Sequence, residues 1–144
     1  MVLRFGANRA TNDIDVLVIS GNLLALRREI KEVGKQRNLS KDWMNEAVKA
    51  FADILPPDFS DRLTPLDFSL KHLKLYTLGT PEQAAMKIVA LREQDLEDLE
   101  LLLPQITEEG KLVLVNTMRR LETIRPDWAQ KIYYFLLEQG WELA

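Results

Sequence analysis

The chain has 144 residues, 47% of them apolar, with 19 lysine and arginine side chains against 22 aspartate and glutamate, for a formal net charge of -3. This size and balance suit one soluble domain, residues 1–144, with a real core; they exclude a disordered or fibrous chain and a dedicated duplex-DNA binder, which needs a concentrated basic surface. No apolar run approaches the roughly 20 residues of a spanning helix, and the absence of cysteine excludes disulfides and thiolate chemistry and agrees with a reducing cytoplasm.

Residues 2–5 read as a short strand and residues 14–19 (Ile-Asp-Val-Leu-Val-Ile) as a buried one, joined by a polar turn and ended by Ser20-Gly21-Asn22. An amphipathic helix is expected over residues 23–36, with Leu23, Leu26, Ile30 and Val33 facing inward and Arg27, Arg28, Lys31 and Lys35 outward. A second helix, capped by Ser40, is expected to reach residue 55 before Pro56-Pro57 ends it. Residues 58–65 read as an exposed loop, and residues 66–70 and 73–78 as two short strands with His72 at their junction.

Thr80-Pro81-Glu82-Gln83 is the clearest helix start, with Thr80 as cap and Gln83 completing a capping box. That helix is expected to run unbroken to residue 103 and stop at Pro104. Residues 108–124 and 126–139 then form two closing helices, with Gly140 as the last stop signal. Strands and helices mix up to residue 79 and only helices follow in 80–144. The pattern is α+β: a small mixed sheet flanked by helices, with a C-terminal helical segment.

Asp13-Ile14-Asp15 carries the chemistry. Residues two apart on a strand point to the same face, so both carboxylates project together from an apolar run. A divalent cation relieves their repulsion, and hard oxygen ligands on a fixed strand suit Mg2+ or Mn2+. The alternative is a pair of solvated aspartates at an exposed strand mouth.

The surroundings sharpen this. Arg9-Ala10-Thr11-Asn12-Asp13-Ile14-Asp15 resembles the Arg-x-Thr-x-Asp-Ile-Asp strand of the nucleotidyltransferase superfamily, in particular the AbiEii-type abortive-infection toxins and related bacterial proteins. The segment 81–99, with Lys87, an Ala-x-Arg step ending at Arg92 and the acids Asp95 and Asp98, resembles a helix downstream in those proteins. Asp42-Trp43-Met44-Asn45 is similar to the Trp-x-Asn segment between the two. The three matches cover residues 9–99.

The resemblance implies a nucleotidyltransferase-like fold and metal-dependent transfer of a nucleoside monophosphate from an NTP to an acceptor, RNA or protein, by the toxin-side member of a toxin–antitoxin or phage-defence pair. It implies Asp13 and Asp15 as ligands of Mg2+ or Mn2+, Lys87 near the triphosphate, and Arg9 and Thr11 positioning phosphate. Asp67 is the best candidate for a third carboxylate, ahead of Asp61. Independently, a lysine early in a helix opposes the helix dipole and invites an anionic partner; the plain reading is a surface lysine. In one straight helix, Lys87 and Asp98 stand roughly 16 Å apart along the axis. They are therefore not expected to pair, and Asp95 and Asp98 read as structural rather than as metal ligands.

One element of the family pattern has no counterpart. Gly6 is the only glycine before Asp13, where relatives carry a glycine pair that holds the triphosphate through backbone amides. The alternative function is therefore a catalytically degenerate binding or regulatory module on the same fold. Residues 22–41 hold six basic side chains against two acidic ones, which reads as a solvated helix face or an RNA-binding one. The stripe Trp128, Ile132 and Phe135 reads as core, with a homodimer contact as its second reading. A single histidine and no cysteine exclude an ordinary transition-metal site.

Overall fold

A computed structural model of the chain describes residues 13–143. The expected strand at 2–5 and the glycine-poor turn before Asp13 lie outside them. The described residues are α+β, with two small sheets of two strands each and a helical C-terminal part. They fall into two compact units, residues 13–52 and 53–143.

The first unit is a strand–helix–strand motif. Strand β1 (Ile14–Asp15) and strand β2 (Met44–Asn45) pair in parallel, Ile14 opposite Met44 and Asp15 opposite Asn45, and helix α1 (Leu23–Gln36) makes the connection. Its bounds are those read from the periodicity, because the start has its own cap: Asn22 Oδ1 accepts from Ala25 N at 3.0 Å. Gly34 is the one buried residue of α1. A side chain there would meet the Trp43 indole at 3.0 Å, and that indole donates to the Ile30 carbonyl at 2.9 Å. A mid-helix glycine, intrinsically unfavourable by about 1 kcal/mol, is what lets Trp43 close on the helix.

Two expectations fail here. Only Ile14 and Asp15 of the 14–19 run lie in a strand, and Ile14 and Ile19 are exposed rather than buried. Their neighbour β2 lasts two residues, so after Val16 N donates to Asn45 O at 2.9 Å the run has no further ladder among the described residues. No single helix spans 40–55 either. Ser40 Oγ accepts from Asp42 N, and Asn45 Oδ1 from Ala47 N; these local bonds compete with helix formation, leaving β2 and a 3-10 helix at Ala47–Ile54.

The second unit holds the hydrophobic core. A 3-10 turn (Phe59–Arg62) stands where a loop was expected, and it leads into an antiparallel hairpin of β3 (Thr64–Leu66) and β4 (Leu75–Thr77), shorter than the expected strands. Helices α2 (Thr80–Ala90), α3 (Glu93–Leu102), α4 (Glu108–Ile124) and α5 (Pro126–Glu138) follow. Helix α2 packs on the other three. It is therefore buried on several sides, through Ala84, Ala85, Ile88 and Val89, against a core that includes Leu99, Leu114, Leu121 and Ile132. Trp128, Ile132 and Phe135 are buried as the stripe predicted, while Tyr133 and Tyr134 stay exposed.

The cap of α2 is Gly79 rather than Thr80, and Gln83 reaches back to the Leu78 carbonyl at 2.7 Å instead of closing a capping box. The larger correction concerns the expected helix 80–103. It breaks at Leu91, which takes the left-handed conformation (φ 43°, ψ 44°) and closes α2 by donating its N–H to the Lys87 carbonyl. A leucine there carries a backbone penalty of about 1–2 kcal/mol that glycine escapes. Because Leu91 is exposed, Leu91→Gly is expected to raise the unfolding free energy by about 0.5–1 kcal/mol after the entropy cost of glycine, seen as a higher urea midpoint; a lower midpoint would show that the side chain matters more than the backbone.

Candidate functional site

Asp13 and Asp15 are both exposed, at the start of β1 in the first unit. Their strand is held by Ile14 N donating to Trp43 O at 2.7 Å, and Asp15 faces Asn45 across the ladder. The two landmarks read separately in the sequence, the Asp-Ile-Asp strand and the Trp-x-Asn segment, are thus neighbouring strands of one motif. Asn45 is itself fixed, its Nδ2 donating to Asp42 O and its Oδ1 accepting from Ala47 N. Arg9 and Thr11 lie outside the described residues.

The donor chemistry suits a hard divalent cation. Among the described residues no group of three or more His, Cys, Asp or Glu side chains could hold a metal ion, so these residues offer no closed cage. Two carboxylates on one exposed strand are instead the kind of partial ligand set that Mg2+ accepts when substrate phosphates and water supply the rest. The basic residues of α1 are all on the surface, and Arg27 is tied to Glu46 at 2.9 Å, which lowers the Glu46 carboxyl below its ordinary value.

Lys87 lies in the second unit, within a buried ion cluster created by the break at Leu91. Its Nζ is 2.5 Å from Asp98 Oδ2 and 3.4 Å from Asp95 Oδ1. The expectation that Lys87 and Asp98 cannot pair is therefore wrong: α3 folds back on α2, and the axial distance along a straight helix no longer applies. Asp95 sits at the third position of α3, where its Oδ2 accepts from the Arg92 backbone N–H and from Arg92 Nε, both at 2.9 Å. Both carboxylates are fully buried. The only local signal for the break was an acid three residues after Arg92, a capping geometry without a standard cap residue.

Burial pushes the Asp95 carboxyl up, but the side-chain and backbone hydrogen bonds from Arg92 and the charge of Lys87 outweigh it, and the group is held below the usual aspartate range. A depressed folded-state value contributes stability that is present above the unfolded value, about 3.9, and is lost as pH falls through the folded one. Asp95→Asn is thus expected to flatten the loss of stability below about pH 4, measured as thermal midpoint against pH. An unchanged acid limb would assign that loss to other carboxylates.

A third buried acid, Glu82 in the first turn of α2, takes Arg62 Nε at 2.6 Å, and Arg62 also grips Asp58 with both terminal nitrogens. Sequence reasoning missed this pair, whose members are 20 residues apart. Gly79 is needed beside it, since a Cβ there would lie 2.6 Å from Glu82 Oε2. Asp67, the expected third carboxylate, is exposed in the turn after β3, where its Oδ1 accepts from Ser69 N at 3.1 Å. His72 is likewise exposed in that turn.

A family model described as "Nucleotidyltransferase of unknown function (DUF6036)" matches residues 1–132. The chain belongs to this family. The match covers both units, from the Asp-Ile-Asp strand through most of α5, so the superfamily resemblance read from three short segments holds for nearly the whole chain. No curated protein and no solved structure matches it. Within this nucleotidyltransferase-family protein, no helix among the described residues is long and apolar enough to cross a membrane.

Proposed function

We propose that this protein transfers a nucleoside monophosphate from an NTP to an acceptor, the acceptor oxygen bonding to the α-phosphorus as pyrophosphate leaves. The observation that carries the reading is the pair Asp13 and Asp15, two residues apart and both exposed at a strand braced by Trp43 and Asn45, in a chain of a nucleotidyltransferase family. Their carboxylates would hold Mg2+ or Mn2+, which when bound neutralises triphosphate charge and activates the attacking oxygen. Arg9 and Thr11, just upstream, would position phosphate. The likeness of residues 9–18 to AbiEii-type toxins supports a toxin-side role with an antitoxin partner and an RNA or protein acceptor, in a bacterial cytoplasm.

Lys87 has a second task in this reading. Its ammonium already lies between two buried carboxylates, so contact with a triphosphate requires it to leave Asp98. The test is calorimetry of NTP binding with and without Mg2+, on the parent and on Asp13→Ala/Asp15→Ala. Metal-dependent binding that the double variant loses supports the proposal. Binding without any transfer to RNA or protein, or no binding by either protein, would overturn the transfer reading and favour the degenerate binding or regulatory module on the same fold.

A further inference from the structure

The hairpin of β3 and β4 presents a surface that the transfer chemistry does not use. Phe68 and Tyr76 are 52% and 46% exposed, and Leu70 and Leu73 are exposed beside them. Tyr76 pairs with Pro65 across the ladder, and both stand on the outward face while Leu66 and Leu75 are more covered. Together with Phe68, Leu70, Leu73 and Lys74, these two outward residues line an open hollow of about 310 Å3. Nothing in the folding of the second unit calls for two open aromatic rings here, because its core lies among the helices.

Charge decides what kind of partner suits this face. The turn carries two lysines, Lys71 and Lys74, against one acid, Asp67, whose Oδ1 accepts from the Ser69 N–H. This excess of positive charge stands on a chain whose net charge is -3. An apolar face alone would fit another protein; lysines interleaved with exposed aromatic rings fit a polyanion that also offers flat apolar rings. Single-stranded nucleic acid has both, phosphates for the ammonium groups and base faces for stacking.

We propose that the β3–β4 hairpin is a single-stranded nucleic acid platform, with Phe68 and Tyr76 stacking on bases and Lys71 and Lys74 meeting phosphates. Readout is by stacking and charge, so it tolerates sequence and disfavours duplex, whose base faces are already stacked on one another and closed to aromatic rings. The proposal does not depend on nucleotidyl transfer.

The experiment is fluorescence anisotropy of the full chain with a labelled single-stranded RNA of roughly 10 nucleotides, in EDTA and without NTP. Metal chemistry at Asp13 and Asp15 then plays no part, and failure of the transfer reading leaves the result intact. Phe68→Ala/Tyr76→Ala is expected to weaken binding about tenfold or more while leaving its salt dependence unchanged. Lys71→Gln/Lys74→Gln is expected to lower the slope of log affinity against log salt by about 1.4, two contacts on a single strand. All four side chains are exposed, so unchanged melting curves confirm that the variants fold. No binding at about 100 μM protein in low salt, equal affinity for the duplex, or affinity untouched by both double variants would overturn the proposal. Self-association in sedimentation that Phe68→Ala/Tyr76→Ala abolishes, without RNA binding, would overturn it too and assign the face to a second copy of the chain.

Discussion

Lys87→Met is expected to lower the unfolding free energy by about 3–5 kcal/mol at neutral pH, a large part of the roughly 5–15 kcal/mol that holds a domain together. The variant leaves the fully buried Asp98 carboxylate without the ammonium 2.5 Å away. That buried charge then loses its nearest cation, whereas Asp95 keeps its bonds from Arg92. Removing both partners in Lys87→Met/Asp98→Leu is expected to restore most of the loss, because apolar groups of similar volume carry no desolvation penalty. Urea unfolding of the two single variants and the double variant measures the coupling directly. A Lys87→Met loss below about 1 kcal/mol would mean that the pair behaves as a surface ion pair and that the turn at Leu91 is held by other contacts. The same variant separates the two roles of Lys87: lost nucleotide affinity in a protein that remains folded would assign the ammonium to phosphate as well as to the helix turn.

The second large effect concerns chemistry without stability. Asp13→Asn/Asp15→Asn is expected to reduce metal-dependent nucleotidyl transfer by about a thousandfold or more, since a metal ion supplies several kcal/mol of transition-state stabilisation and each 1.36 kcal/mol is a factor of ten. The fold is expected to change by no more than about 0.5 kcal/mol, because both side chains are exposed. Chelation of the metal in the parent protein is expected to give a loss of the same size as the double variant, with no further loss when the two are combined. Pyrophosphate release with labelled NTP measures the rate, and thermal melting measures the fold. Transfer that survives in the double variant would remove the carboxylate pair from the reaction and with it the proposed function.

These two outcomes touch residues that were readable to different degrees. Asp13 and Asp15 stand out in the sequence because they lie in one tripeptide, and the structure adds that both are exposed. The Trp43–Asn45 segment was visible as a motif, but not as the strand beside them. The pairing needed two residues of β2 to be extended, and Ser40, Asn45 and their neighbours took local hydrogen bonds in place of the helix that their apolar spacing suggested. Lys87 is not the cation early in a helix that was expected, since the break at Leu91 puts it in the last turn of α2, where a cation suits the helix dipole; its need for an anionic partner was legible. The identity of that partner was not, because a leucine is the last residue expected to end a helix in the left-handed conformation, and the one-helix reading kept Asp98 out of reach.

The helices whose ends carry their own caps and whose inward residues recur at helical spacing were determined by the sequence itself. Asn22 starts Leu23–Gln36, Thr107 starts Glu108–Ile124 by accepting from Gly110 N at 3.1 Å, and Pro126 starts the last helix; in each the deciding interactions lie within a few residues. The α+β class follows from equally local patterns. Only the tertiary structure decided where the 80–103 run breaks, which acids are buried and which cation each one meets. Those choices rest on groups distant in sequence, Arg62 with Glu82 and Lys87 with Asp98, and a buried charge takes whichever partner the folded chain brings within a hydrogen bond of it, because leaving it unpaired costs more than the turn that joins them.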